Sequence, residues 1–116
     1  MNSTTKTTKT TTPTKNDEEL QKIITTLQSG FIPLQRKYHI SELCIVGSYA
    51  RGEQTETSDI DIMVDFSEPI GWEVADLRDA LEAILGLEVD LILKGGVIQR
   101  KRLYTSITED AIYIRA

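Results

Sequence analysis

The sequence is poor in the residues that build disulfide frameworks, histidine metal centres and membrane spans. It has one cysteine, Cys44, and one histidine, His39, among 116 residues. A single cysteine cannot form an intrachain disulfide, and a lone histidine does not supply the ligand set of a zinc site. No apolar run approaches the roughly 20 residues needed to cross a bilayer, and no signal-peptide pattern opens the sequence. These absences predict a cytoplasmic protein with a buried, inert thiol and no membrane association.

Basic residues are outnumbered by acidic ones. There are 18 Asp and Glu against 13 Lys and Arg, for a net charge of −5. An acidic surface repels a phosphate backbone, so no direct nucleic-acid binding is expected, and a basic protein partner would suit it better. The length is enough for one domain. Residues 1–15 are dominated by threonine and lysine and predict a disordered tail, which leaves residues 16–116 as the folded domain.

Apolar periodicity predicts alternating helices and strands, an α/β class. Asn16 can cap a first helix whose apolar stripe begins at Leu20 and includes Leu27. Ser29-Gly30 is expected to end this helix, and Pro33 to begin a short second one. Trp72 is expected to pack near the start of a later helix rather than to stack on a base. The other predicted elements are strands over residues 43–47, 87–93 and 111–114, a strand that follows Ser58, and helices over residues 49–54, 71–85 and 98–105.

Two motifs separated by ten residues lie at the centre of the sequence. Gly47-Ser48 ends one apolar run, and Asp59-Ile60-Asp61 lies in the next. Strand side chains alternate, so Asp59 and Asp61 project from the same face. Adjacent carboxylates repel each other unless a cation lies between them, and Mg²⁺ prefers carboxylates together with phosphate oxygens. Glycine allows close approach to a ligand, and N–H groups at a helix start favour phosphate, so the motifs predict a site for a phosphate and a divalent cation.

Two further residues extend this candidate site. Asp90 lies in the middle of the apolar run Val89–Leu93, where an ionised side chain is costly unless it is paired or bound to a metal. Arg51 follows Gly47-Ser48 closely, and could reach a triphosphate or pair with an acidic neighbour. The sequence leaves both roles of Arg51 open.

The stretch Gly47-Ser48-Tyr49-Ala50-Arg51-Gly52, followed by Ser58-Asp59-Ile60-Asp61, resembles the nucleotidyltransferase superfamily that includes DNA polymerase beta. Within it, the chain is most similar to the minimal, single-domain nucleotidyltransferases of prokaryotes, which are often the antitoxin partners of HEPN-domain ribonucleases. The resemblance covers roughly residue 17 to the C-terminus, so residues 16–116 would form the minimal nucleotidyltransferase domain. It implies a small mixed sheet of three or four strands with helices packed mainly on one side.

The resemblance also implies a reaction and a set of site residues. The reaction is Mg²⁺-dependent transfer of AMP from ATP to a tyrosine hydroxyl of a cognate HEPN toxin, within a hetero-oligomer, which would inactivate the toxin. Asp59 and Asp61 would bind two Mg²⁺ ions, Asp90 would bind the catalytic one, and Gly47 and Ser48 would hold the phosphates. Two alternatives stay open. One is a non-catalytic antitoxin that neutralises by binding alone, and the other is a small-molecule nucleotidyltransferase that needs a second subunit to bind its acceptor.

Overall fold

The computed structural model describes residues 14–115, which form nine helices and strands. The predicted disordered tail lies outside the described residues except at its end. Each predicted strand is present within a few residues of its expected bounds, and none of the helices in the described range has the length and apolarity to cross a membrane. The elements are α1 (Lys15–Tyr38), β1 (Ile40–Val46), α2 (Gly47–Arg51), β2 (Ile60–Phe66), α3 (Glu73–Leu85), β3 (Val89–Leu93), α4 (Lys94–Val97), α5 (Lys101–Thr108) and β4 (Ile112–Tyr113).

Helix α1 begins with a capping box at Thr14, two residues before the predicted cap, Asn16. The Thr14 hydroxyl accepts a hydrogen bond from the Asp17 N–H at 3.1 Å, and the Asp17 carboxylate accepts one from the Thr14 N–H at 3.1 Å. Asn16 does not cap the helix, because its side chain donates instead to the backbone carbonyl of Gly52 at 2.9 Å. Helix α1 therefore begins at Lys15, with Thr14 as its N-cap, rather than after Asn16.

Helix α1 also continues through Gly30 and Pro33, so the prediction of two helices was wrong. Its buried residues lie at helical spacing on both sides of the proline: Ile23, Leu27, Phe31, Leu34 and Tyr38. A proline in a helix interior costs about 3 kcal/mol. Burial of the side chains beyond Pro33 contributes about 1.5–3 kcal/mol each, so packing on the sheet outweighs the local preference.

The strands form one mixed sheet in the order β3-β2-β1-β4. β1 is antiparallel to β2 and to β4, whereas β2 and β3 are parallel and are joined through α3. Side chains of α1 and α3 cover one face of the sheet and form the main core. A smaller cluster around Cys44 and Met63 lies on the opposite face, against side chains of α4 and α5. The predicted mixed sheet with helices mainly on one side is confirmed, with this second, smaller layer added.

The chain after β3 differs from the prediction of a single helix over residues 98–105. Lys94–Val97 forms the short helix α4, and the last helix, α5, begins only at Lys101. Lys94 donates to Glu42 at 2.8 Å and lies 5.9 Å from the ring centre of Tyr104. These contacts hold α4 against β1 and α5, and they depend on residues distant in the chain, which is why local composition did not predict them.

Candidate active site

The connection from β1 to α2 requires glycine at position 47 for two reasons. Gly47 has φ +74°, a left-handed conformation that other residues adopt at a cost. A Cβ atom added there would collide with Oδ2 of Asp61 and lie 3.2 Å from its Cγ. The turn therefore brings the backbone of Gly47 directly against the Asp61 carboxylate, which joins the two motifs found in the sequence.

Asp61 and Asp90 lie side by side on parallel strands. They are paired in the register of β2 and β3. The pKa of Asp61 is raised above its ordinary value, first by burial and then by the neighbouring Asp90 carboxylate. Asp90 itself is exposed because β3 is the terminal strand of the sheet, so the burial cost expected for it does not arise. The ionised form of Asp90 is disfavoured at this position by the charge of the neighbouring Asp61 carboxylate and not by burial.

Asp59 lies one residue before β2 and is exposed. A turn ahead of it is closed by the Thr55 N–H, which donates to Ser58 Oγ at 2.8 Å, and by the Ser58 N–H, which donates to the Thr55 carbonyl at 3.1 Å. The charge of Asp59 adds to the raised pKa of Asp61, and it also contributes, after burial and Glu19, to the raised pKa of Tyr49. Asp59 is thus near Asp61, although it lies just outside the strand in which it was predicted.

These carboxylates fit a divalent cation by their chemistry. Asp61 and Asp90 are in contact, and their mutual repulsion is what a cation between them would relieve. Within residues 14–115, no three His, Cys, Asp or Glu side chains already converge into a complete metal-binding cluster. The assignment of Asp59, Asp61 and Asp90 as metal ligands therefore stays a prediction, supported by the adjacency of two of them.

Ser48 and Arg51 lie at the two ends of α2. Ser48 is half-buried in the first turn, where N–H groups have no partner within a helix. Arg51 Nε donates to Glu53 Oε1 at 2.9 Å, and its charge also acts to lower the pKa of Asp61. The pairing of Arg51 with an acidic neighbour is therefore observed, and a contact with phosphate stays a prediction.

Gln54 holds the loop after α2 against the start of α1, and the sequence analysis did not identify it. Its side chain is 5% exposed, and its Nε2 donates to the Asn16 carbonyl and to Glu19 Oε1, both at 3.2 Å. Asn16 in turn donates to the carbonyl oxygens of Gly52 and Gln54. These hydrogen bonds link the start of α1 to the loop after α2, and no local sequence pattern predicts them. They fix the loop that leads from Arg51 to Asp59.

A cavity of about 480 Å³ lies beside Asp90, between α3 and β3. Trp72 lines it and is 81% exposed, so the prediction that Trp72 packs in the protein was wrong. A larger cavity of about 830 Å³ lies near the start of α1 and is lined in part by Tyr49 and Gln54, but by none of the three aspartates. The smaller cavity is thus the one that contacts a predicted catalytic residue.

Comparison with known proteins identifies the motif-bearing part of the chain. The family model described as the nucleotidyltransferase domain matches residues 33–114. A protein of Methanocaldococcus jannaschii that is provisionally named a protein adenylyltransferase is 51% identical over 84 residues, which cover 70% of this chain and 83% of the relative. The protein adenylyltransferase MntA of Thermococcus cleftensis is 35% identical over 98 residues, covering 84% of this chain and 94% of the relative.

Solved structures show the same fold. One described provisionally as a minimal nucleotidyltransferase has a TM-score of 0.62 and 32% identity, and the match covers 77% of this chain and 93% of that chain. A second is a complex of a tri-AMPylated HEPN toxin of Shewanella oneidensis with its MNT antitoxin. Its match has a TM-score of 0.55 and 19% identity, and covers 78% of this chain and 70% of that chain. The second likeness, at this identity, concerns the fold alone.

Proposed function

This chain belongs to the nucleotidyltransferase family and is a nucleotidyltransferase, and we propose that it is an antitoxin that transfers AMP from ATP to a tyrosine hydroxyl of a cognate HEPN ribonuclease toxin. The observation that carries the proposal is the position of Asp61 against both Asp90 and the Gly47 turn, because it joins a carboxylate pair to the turn that we propose binds the phosphates. The relative named protein adenylyltransferase MntA and the complex that contains an AMPylated HEPN toxin support the choice of nucleotide and acceptor.

The triphosphate would lie along the start of α2. Gly47 presents its backbone without a side chain, and Ser48 adds a hydroxyl donor in the first helical turn, where free N–H groups favour phosphate oxygens. Arg51 is half-exposed beside Glu53, and its charge acts to lower the pKa of Asp61. It would therefore add positive charge to the region in which we place the triphosphate. We propose that Asp59, Asp61 and Asp90 bind two Mg²⁺ ions. When bound, these ions would neutralise the charge of the phosphates and activate the attacking hydroxyl.

The reaction exchanges one phosphorus–oxygen bond for another. The tyrosine oxygen attacks the α-phosphorus of ATP, an oxygen–phosphorus bond forms, and the bond from the α-phosphorus to the bridging oxygen of the β-phosphate breaks. Pyrophosphate leaves with that electron pair, and the Asp90 carboxylate takes up the proton of the tyrosine hydroxyl. The exposure of Asp90 at the edge of the sheet makes it accessible to a hydroxyl on another protein. The reaction would take place in the cytoplasm, where ATP is available.

The test is the intact mass of the product of the neighbouring gene after co-expression with this chain. The wild-type chain should add one or more AMP groups, and the Asp59→Ala/Asp61→Ala variant should add none. Asp65→Ala is a matched control, since Asp65 lies on the same strand but at its far end, and it should leave transfer intact. Suppressed toxicity with no mass increase would instead establish an antitoxin that acts by binding alone.

A further inference from the structure

The carboxylates of Asp61 and Asp90 lie on the face of the sheet that α4 and α5 cover. Side chains alternate along a strand, so Asp61 lies on the same side of β2 as Met63. Met63 belongs to the smaller cluster, which packs against side chains of α4 and α5. Asp90 is paired with Asp61 in the register and lies on this side as well. A protein that brings a hydroxyl to these carboxylates from this side therefore also faces α4 and α5.

The segment that forms α4 and α5 is basic, although the chain as a whole is acidic. Residues 91–108 contain four of the 13 basic residues and none of the 18 acidic ones. Three of these cations are consecutive, and they are called here the α5 basic cluster: Arg100, Lys101 and Arg102. All three are exposed, and no carboxylate in the part of the chain that the structure describes forms an ion pair with them. Their charges are therefore available to a partner.

The α5 basic cluster does not stabilise the helix that carries it. Arg100 is the N-cap of α5 and makes no capping hydrogen bond with its side chain. Lys101 and Arg102 follow in the first turn, which contains no acidic residue. A helix N-terminus carries a partial positive charge, so cations there are unfavourable and carboxylates are favourable. The stability of α5 therefore does not explain the three cations, whereas attraction to an anionic partner does.

A hollow on the outer side of α5 runs from the basic cluster toward the candidate active site. It has a volume of about 430 Å³ and is lined by Lys101, Arg102, Thr105, Ser106 and Glu109. The last turn of α5 leads into β4, which pairs with the C-terminal half of β1, and the last residue of β1 is paired with Asp61. The basic cluster lies at the other end of α5, about 12 Å away, because each of its eight residues adds 1.5 Å. It is therefore separate from the start of α2, where we place the triphosphate.

We propose that the α5 basic cluster and the hollow beside it bind an acidic segment of the acceptor protein, and so dock that protein across the face of the sheet that carries the carboxylates. The inference rests on the proposed function, which supplies a protein acceptor. A short acidic segment fits this surface better than a nucleic acid does, because a polyanion that extends beyond three cations would meet the acidic residues that dominate the rest of the chain. From the length of α5, the acidic residues of the partner should lie about 12 Å or more from the hydroxyl that receives AMP.

Steady-state kinetics of AMP transfer to the purified, unmodified toxin tests the docking surface. The variant Arg100→Glu/Lys101→Glu/Arg102→Glu should raise the KM for the toxin by about tenfold or more, while kcat and the KM for ATP change by less than about twofold. Its Tm should rise, because carboxylates replace cations at the start of α5. A weaker fold therefore cannot produce the expected result.

The matched control is Arg36→Glu/Lys37→Glu. Arg36 and Lys37 are consecutive, exposed cations in the last turn of α1, which covers the other face of the sheet. Cations stabilise a helix C-terminus, so this variant should lower Tm and leave the KM for the toxin unchanged. An unchanged KM for the toxin in the α5 variant, or an equal rise in both variants, would overturn the inference.

Cross-linking separates failure of this inference from failure of the proposed function. A carbodiimide joins an amine to a carboxylate that it contacts, so Lys101 of the Asp59→Ala/Asp61→Ala variant, which cannot turn over, should form an amide with an acidic residue of the toxin, mapped by mass spectrometry. If the wild-type chain transfers AMP but no cross-link forms at Lys101, the α5 basic cluster is not the docking surface. If the wild-type chain transfers no AMP but the cross-link forms, the proposed function fails and the cluster remains the toxin-docking surface. Binding of an RNA oligonucleotide that the α5 variant abolishes, with no change in the KM for the toxin, would assign the cluster to nucleic acid and would also overturn the inference.

Discussion

Replacement of Gly47 by alanine is the sharpest test of how the active site is built. Gly47 has a left-handed backbone conformation, φ +74°, and a Cβ added there would lie closer to a neighbouring side chain, that of Asp61, than a Cβ added at any other glycine. Gly47→Ala therefore introduces backbone strain and also displaces a carboxylate that the proposed reaction needs. The two effects have different consequences and can be measured separately.

The strain of an alanine in the left-handed region is about 1–2 kcal/mol. For a domain of this size, each kcal/mol lowers Tm by roughly 4–8 °C. The added methyl would also lie 3.2 Å from Cγ of Asp61 and collide with its Oδ2, so the carboxylate has to move away from its position beside Asp90. A displacement on the order of 1 Å at a reacting centre costs roughly 100-fold in rate. That factor corresponds to about 2.7 kcal/mol of lost transition-state stabilisation.

Gly86→Ala is the matched control for Gly47→Ala. Gly86 has φ +68° at the end of α3, and a Cβ there would meet nothing within 4 Å. Both variants should lose similar stability in thermal unfolding, but only Gly47→Ala should lose about 100-fold in kcat for AMP transfer. Retention of activity by Gly47→Ala within a few-fold would refute the argument that Gly47 positions Asp61. An equal loss of activity in Gly86→Ala would show that stability alone explains the effect.

Three further predictions concern stability and reactivity. Burial and the charge of Asp90 raise the pKa of Asp61, so ionisation of Asp61 lowers the stability of the fold. This loss of stability is absent below the ordinary carboxyl pKa, grows as the pH rises, and is complete above the raised pKa of Asp61. Asp61→Asn should therefore raise Tm in Mg²⁺-free buffer at neutral pH while it abolishes transfer, and a lower Tm would contradict this reasoning. Thr14→Ala removes the cap of α1 and should cost about 1 kcal/mol in denaturant unfolding, whereas no loss would mean that α1 is not capped there. Cys44 is fully buried, and burial raises its pKa to about 11, so it should react with a thiol reagent only after unfolding, and labelling of the native chain would show that the sheet opens.

The sequence by itself determined the family and most of the strands that carry the candidate site, and it predicted the chemistry of that site. Gly47-Ser48 and Asp59-x-Asp61 are short-range patterns, and strand alternation predicts both aspartates on one face, although Asp59 lies one residue before β2. Asp90 was identified because an acidic residue interrupts an apolar strand. The end of α3 at Gly86 also follows from a local rule, since glycine is favoured where a helix ends in the left-handed conformation. Each of these inferences needed only residues close together in the chain.

Only the tertiary structure decided which of these local preferences held and which residues met. Helix α1 continues through Pro33 because its buried stripe packs on a sheet formed by later residues, and Asn16 leaves its predicted capping role to bind the loop at Gly52. The register of β2 on β3 brings Asp61 against Asp90, and β3 at the end of the sheet leaves Asp90 exposed. Trp72, at the start of α3, is exposed as well. These outcomes depend on contacts between residues distant in the chain. The free energies of these long-range contacts exceed the local helix and strand propensities, and the local composition does not predict them.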